Sequence, residues 1–273
     1  MWAFLMAWLG AGAATAASGP AAPPAPTVDI LTLNTWGLPY PLAWVDRARR
    51  FPGITRFVHA AEADLVGLQE VWRGAERLLD LPGRLHRRGT AGDTGLALVS
   101  PHPVSAVEER HFRAARGADV FKQKGALSAV VTLPGVGPVQ VVVTHLQAGS
   151  GPANAAVRAA QVDELLGTAG REGLPVVLLG DFNFDPRQPA DRAAEARLAD
   201  GGWVDAAAAL GRGAITHPGD GQRYDRVYLP PALTPVAADT PAWAAEAPLS
   251  DHLPVWVRAA PPAAALGPAA APR

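Results

Sequence analysis

The runs Val139-Gln140-Val141-Val142-Val143 and Pro175-Val176-Val177-Leu178-Leu179 are almost uninterrupted by polar residues. A strand turns successive side chains to opposite faces, so such a run is stable only where both faces are covered. That requirement calls for packed sheets with helices outside them. Further strand-like runs cover Val28–Thr35, Asp64–Leu68, Gly95–Ser100, Val104–Glu108, Ala126–Leu133, Arg226–Leu229 and Leu253–Val257. Helical spacing marks Arg49–Ala63, Gly74–Leu79, Ala153–Thr168 and Pro189–Ala199. In the third, Val157, Ala160, Gln161, Leu165 and Leu166 share a face, while Arg158, Asp163 and Glu164 fall mostly on the other. The order is mixed α/β without an internal repeat, in one domain over residues 28–258.

The ends differ in composition from this domain. Trp2–Leu9 is apolar, an Ala/Gly stretch follows, and Ala14-Thr15-Ala16 offers small residues for cleavage, so residues 1–17 read as an export signal. The signal is atypical, because the first Lys or Arg is Arg47. It implies a secreted or periplasmic location. Residues 18–27 read as a Pro/Ala linker, and 259–273 as a disordered Ala/Pro tail. The absence of cysteine excludes disulfides, thiolate nucleophiles and zinc-thiolate sites. With 24 Lys+Arg against 25 Asp+Glu, affinity for a long nucleic acid through many phosphate contacts is disfavoured.

Polar residues of one kind recur where apolar runs stop. Asn34 closes the first run, Glu70 follows the second, His145 ends Val141-Val142-Val143-Thr144, and Gly180-Asp181-Phe182-Asn183 follows Leu179. Asp251-His252 precedes the last run. Asp181 and Asn183, two apart on an extended segment, would face one site while Phe182 anchors the turn from behind. Singly, each has a structural reading: a turn cap for Asn34, a loop acid for Glu70, a core histidine for His145, a surface ion pair for Asp225. Together they suit phosphate-ester hydrolysis. Glu70 and Asp251 offer hard oxygen ligands and Asn34 a neutral one, favouring Mg²⁺ or a similar cation. His252 could be the base that activates water, with Asp225 fixing its tautomer. His145 and Asn183 would donate to the phosphate oxygens, and Lys124 would add positive charge, a solvated surface lysine being the alternative.

The motifs Leu33-Asn34, Leu68-Gln69-Glu70, Gly95-Leu96-Ala97-Leu98-Val99-Ser100, Thr144-His145-Leu146, Gly180-Asp181-Phe182-Asn183, Tyr224-Asp225-Arg226-Val227-Tyr228 and Ser250-Asp251-His252-Leu253-Pro254-Val255 resemble, in this order, the endonuclease/exonuclease/phosphatase superfamily. The resemblance implies a four-layer sandwich, two packed and mostly antiparallel sheets flanked by helices, with the site at one edge. Asn34-Thr35-Trp36-Gly37-Leu38-Pro39, Lys124-Gly125-Ala126 and Thr144-His145-Leu146-Gln147-Ala148 resemble sphingomyelinases in particular. Carried over residue by residue, Glu70 would hold the metal with Asn34 and Asp251 nearby. Asp181 and Asn183 would orient water and phosphate, His145 would contact the phosphate, and His252 would be the base supported by Asp225. Lys124 and Trp36 would contact the substrate, with Tyr40 and Trp44 extending an aromatic rim suited to a lipid–water interface, buried core aromatics being the alternative. The expected partner is a phospholipid or another phosphodiester, bound by a monomer with a membrane surface in reach. The alternatives are a nuclease or phosphatase of the same superfamily and a non-catalytic binding module that keeps the fold.

Overall fold

The computed structural model describes residues 26–38, 47–72, 79–81, 85–86, 94–170 and 173–262. Two parallel strand pairs organise the molecule. In the first, β1 (Val28–Asn34) and β2 (Leu65–Gln69) are joined through helix α1 (Arg47–Ala61). In the second, β7 (Gly137–His145) and β8 (Val176–Asp181) are joined through helix α3 (Pro152–Leu166). A helical crossover is what parallel neighbours require. It also makes paired strands end together: Asn34 lies opposite Gln69, and His145 opposite Asp181.

Every other pairing is antiparallel. The first sheet is completed by β3 (Leu85–His86), β4 (Ala97–Val99), β11 (Thr234–Asp239) and β12 (Val255–Ala260), in the order β11-β12-β1-β2-β4-β3. The second gains β5 (Val104–His111), β6 (Gly125–Leu133), β9 (Val204–Asp205) and β10 (Asp225–Leu229), in the order β5-β6-β7-β8-β10-β9. The remaining helices are α2 (Asp119–Lys122), α4 (Pro189–Asp200) and α5 (Ala206–Ala209). This is the four-layer α/β sandwich expected from the sequence.

Strand periodicity explains the continuous apolar runs. Ile30, Leu65, Val141, Val143, Val177, Leu179 and Val257 meet in the core between the sheets. Their neighbours Leu31, Leu33, Val66 and Leu68 face outward onto Phe51, Ile54 and Val58 of α1. On the opposite side Val142 and Leu178 face Val162 and Leu165 of α3, with Leu198 of α4. A Cβ on Gly67 would stand 2.8 Å from the Leu179 side chain of the facing sheet, so this position leaves no room for a side chain.

Several boundaries differ from the sequence reading. The last strand continues through Ala259 and Ala260, which were expected in the tail; Ala259 pairs with Val28 and Ala260 with Thr234 on the neighbouring strands. The two-residue strands β3 and β9 carry too little pattern to be read. β11 was masked by its Pro/Ala composition: it holds Pro235 beside a bulge, which an edge strand tolerates. Arg158, placed on the polar face of its helix by the sequence, is buried and paired bidentately with Asp191, Nε–Oδ1 at 2.9 Å and Nη2–Oδ2 at 2.7 Å. The export signal, most of the linker, Tyr40, Trp44 and nearly all of the helix expected at 74–79 lie outside the described residues.

Candidate active site

The parallel pairs deliver Asn34 and Glu70 from one sheet, and His145 and Asp181 from the other, to the same edge of the sandwich. The antiparallel neighbour β10 then sets Asp225 directly opposite Asp181. The Ser250–His252 loop closes over them. Ser250 Oγ donates to the Asn34 carbonyl at 2.6 Å and accepts the His252 amide at 3.1 Å, so the loop is tied to the end of β1.

Asp181 Oδ2 is the point of convergence. Asn34 Nδ2 donates to it at 3.0 Å, His145 Nε2 lies 3.2 Å away, and His252 Nε2 lies 3.9 Å away. The other oxygen, Oδ1, accepts the Asn183 amide at 3.0 Å. His252 Nδ1 is 2.8 Å from Asp225 Oδ2, which fixes the tautomer and leaves Nε2 turned toward Asp181. Asp225 is itself positioned by Thr216, whose Oγ1 accepts the Asp225 amide at 3.0 Å and the Tyr224 amide at 2.9 Å.

Burial sets the charges. It alone would depress the His252 imidazole, but Asp225, then Asp181 and Asp251, overcome it and raise the group to about 10. Burial pushes Asp181 up to about 6, opposed by the His252 charge. His145 is driven well below the ordinary histidine value, by burial first and then by Lys124 and His252, so it is neutral. Burial brings Lys124 down to about 8 against the attraction of Asp119, Asp181 and Glu70. Asp251 is raised by burial, with His252 opposing.

Glu70 has a positive φ of 57° and its Oε2 is buried without a hydrogen-bond partner. His145 Nδ1 and Asp225 Oδ1 are in the same condition. A buried carboxylate oxygen left unpaired is costly, and a hard cation would satisfy it. The unpaired Glu70 oxygen therefore suits a ligand of the divalent ion that the sequence implies, whereas Asn34 Oδ1 already accepts the Trp36 amide at 3.0 Å. Among the described residues, two trios also bring one ligand atom each within 4.8 Å of one another: His217, Asp251 and His252, and Asp181, Asp225 and His252.

The remaining sequence candidates fall as follows. Asn183, at φ 53°, donates from Nδ2 to the Leu146 carbonyl at 3.2 Å, which commits one of its amide protons to the backbone. Phe182 packs behind the turn, edge-on to Tyr228 at 5.0 Å. Lys124 is 1% exposed, which rules out the solvated lysine; Nζ donates to the same Leu146 carbonyl at 3.0 Å and lies 3.7 Å from Asp119. Trp36 is half-buried, with the Arg50 guanidinium 4.8 Å from its ring centre.

Four supporting residues carry no assigned role in the sequence reading. Arg50 binds the carbonyls of Thr35, Trp36 and Leu249 at 3.0, 2.5 and 2.7 Å, clamping the turn after β1 to the loop before Ser250. Its signal was position: Arg50, Ile54 and Val58 lie on one buried stripe of α1. Thr216 carries Asp225, and His217 sets its ring at 62° to that of His252 with 4.8 Å between centroids. His217 Nδ1 lies 2.8 Å from Asp220, which also accepts the Tyr224 hydroxyl at 2.6 Å. The fourth is Asp191, whose Oδ2 accepts the Asp185 amide at 3.0 Å while its partner Arg158 holds the carbonyls of Gln147 and Gly149.

The sequence profile of the Endonuclease/Exonuclease/phosphatase family matches residues 31–252. A Drosophila melanogaster protein described as "Putative neutral sphingomyelinase" is 30% identical over 182 residues, 59% of this chain and 40% of that protein. The chain thus spans less than half of that relative. Sphingomyelinase C from Streptomyces griseocarneus superposes with a TM-score of 0.60 at 24% identity, over 85% of this chain and 99% of that one. D. rerio TDP2 complexed with single strand DNA product does so with a TM-score of 0.69 at 19% identity, over 85% and 98%. These two likenesses concern the fold. The profile match covers most of the sandwich and every candidate residue from Asn34 to His252, and the chain belongs to the endonuclease/exonuclease/phosphatase family.

Proposed function

We propose that this chain is a metal-dependent phosphodiesterase of the sphingomyelinase type, cleaving a choline phospholipid to release phosphocholine. The observation that carries the chemistry is the Asp225–His252–Asp181 arrangement. His252 has one ring nitrogen held by a buried carboxylate and the other facing a second carboxylate across a 3.9 Å gap. Such a histidine can take a proton from water while Asp225 stabilises the charge that forms. Water oxygen then bonds to phosphorus as its proton passes to Nε2, the ester P–O bond breaks, and the departing alkoxide takes a proton from solvent to leave as the alcohol. Neutral His145 donates a hydrogen bond to the developing charge on a phosphoryl oxygen, and buried Lys124 adds positive potential behind it. Asn34 and Asp181 hold the attacking water and the phosphate in register.

A divalent cation such as Mg²⁺, held by Glu70 with Asn34 and Asp251, would polarise the phosphoryl group and supply the positive charge that His252 otherwise provides to the acids around it. That last effect matters, because an imidazole raised to about 10 stays protonated at neutral pH and accepts nothing.

The lipid substrate draws its support from the Drosophila relative and from the near-balanced charge of −1. Residues 1–17 add the proposal that the protein is exported, which N-terminal sequencing of secreted material would check. The substrate test sets choline-phospholipid vesicles beside plasmid DNA, with Mg²⁺ in both. Phosphocholine release with intact DNA is expected; nicked DNA with intact lipid would replace this reading by a nuclease. Turnover of neither, nor of a soluble phosphate ester, would point to a non-catalytic binding module.

A further inference from the structure

Phe121 is 88% exposed and its neighbour Val120 is 53% exposed, both on α2 in the connection between β5 and β6. Phe121 is the most exposed large apolar side chain among the described residues, and its segment is anchored. Glu164 accepts the Arg113 and Ala114 amides at 2.9 and 3.1 Å, Gln147 exchanges two hydrogen bonds with the Arg116 backbone, and Gln161 donates to the Ala114 carbonyl at 2.8 Å. Inward-facing Asp119 accepts the Ala148 amide at 2.7 Å and lies near Lys122 and Lys124. The backbone is thus fixed from below while Val120 and Phe121 stay outside the core.

Charge on the outer side is one-signed. Residues 110–123 contain Arg110, Arg113, Arg116 and Lys122, and their only acid is Asp119. The three arginines are exposed and Asp119 is buried. An exposed apolar pair on a segment with three exposed arginines and no exposed acid matches a surface that is anionic at its headgroups and apolar beneath them. Single-stranded nucleic acid fits less well: bases want aromatic faces in succession, and here Phe121 stands beside an aliphatic residue while Phe112 packs into the helix-facing core.

We propose that residues 110–123 are a docking surface for a bilayer containing anionic phospholipids, with Phe121 and Val120 entering the interface and Arg113, Arg116 and Lys122 meeting phosphates. The surface is coupled to the site at short range. Asp119 holds Ala148, Lys124 donates to the Leu146 carbonyl, and Asn183 donates to that same carbonyl. Its role in bringing substrate to the site rests on the choline-phospholipid reading above.

The test is sedimentation of the full chain with phosphatidylcholine vesicles, with and without phosphatidylserine, in chelator so that no turnover intervenes. Wild type is expected to bind the serine-containing vesicles more tightly, and added salt to weaken that preference. Phe121→Ser should weaken binding about ten- to a hundredfold, with the thermal transition and hydrolysis of a soluble phosphodiester unchanged. Arg113→Gln with Arg116→Gln should remove the salt-sensitive preference for phosphatidylserine. The proposal is overturned if wild type does not bind the anionic vesicles, or if Phe121→Ser binds as wild type does. It is equally overturned if the arginine variant keeps vesicle binding but loses binding to a single-stranded oligonucleotide. Wild type that binds vesicles through Phe121 yet cleaves no choline phospholipid would uphold the docking surface and remove the substrate proposed above.

Discussion

Asp181 and Asp225 are direct register partners on neighbouring strands, and His252 stands between their buried carboxylates. Two acids forced into one buried space repel, and the imidazole relieves that repulsion by holding a proton. A cation at Glu70, as proposed above, would take over that charge balance. In the proposed mechanism, the geometry that serves catalysis is also the source of this electrostatic frustration.

Glu70→Gln separates these two aspects. Neutralising a carboxylate whose Oε2 is buried and unpaired should leave the metal-free protein as stable as wild type or more so. It should also weaken Mg²⁺ binding at least tenfold. Calorimetric titration and thermal melts in chelator check both halves. Mg²⁺ binding equal to wild type would move the ion away from Glu70.

The His252 charge predicts a pH dependence in the metal-free protein. Its folded value, about 10, lies above the ordinary 6.5. The stabilising contribution is therefore complete below about pH 6.5 and is lost as pH rises toward 10. Urea midpoints of chelated wild type should fall across this window, and those of His252→Gln should fall less. Parallel curves would mean that the imidazole is not held protonated.

Gly180→Ala should damage the fold itself. Gly180 has φ 146°, and a Cβ there would stand 2.0 Å from the Thr144 carbonyl oxygen of the paired strand. The adjoining backbone must separate just where it carries His145 and Asp181. A loss of about 3 kcal/mol or more is expected in chemical denaturation. A change under 1 kcal/mol would contradict the close approach.

Asp191→Ala leaves the Arg158 guanidinium buried without its carboxylate. The expected cost is about 3–5 kcal/mol, and the loops after β7 and β8 should loosen together because both hang on this pair. Faster amide exchange at Ala148 and Asp185 than at strand β12 would show it. Loss of stability without that local signature would make the pair a core element unrelated to the site.

Much of this was legible in the sequence because a parallel βαβ unit writes itself plainly: an apolar run, a polar residue at its end, a helix, and another run. Asn34, Glu70, His145 and Asp181 are the ends of such runs. Residues that act through tertiary contact leave no such mark. Arg50 reads as one more charge on a helix until three carbonyls are found around it, and Arg158 was placed on the wrong face for the same reason. Thr216 and His217 sit in a stretch of turns whose only regular feature is an isolated bridge between His217 and Gln222. The short edge strands failed for want of length, and β11 because proline and alanine at a sheet edge look like linker.

The most direct test of the central claim is hydrolysis of a soluble phosphodiester, with saturating Mg²⁺, by wild type and by His252→Gln protein of matched thermal stability. If His252 is the base, the substitution should lower turnover by about two to four orders of magnitude. Turnover within a few-fold of wild type would show that the Asp225–His252–Asp181 arrangement is not what activates water.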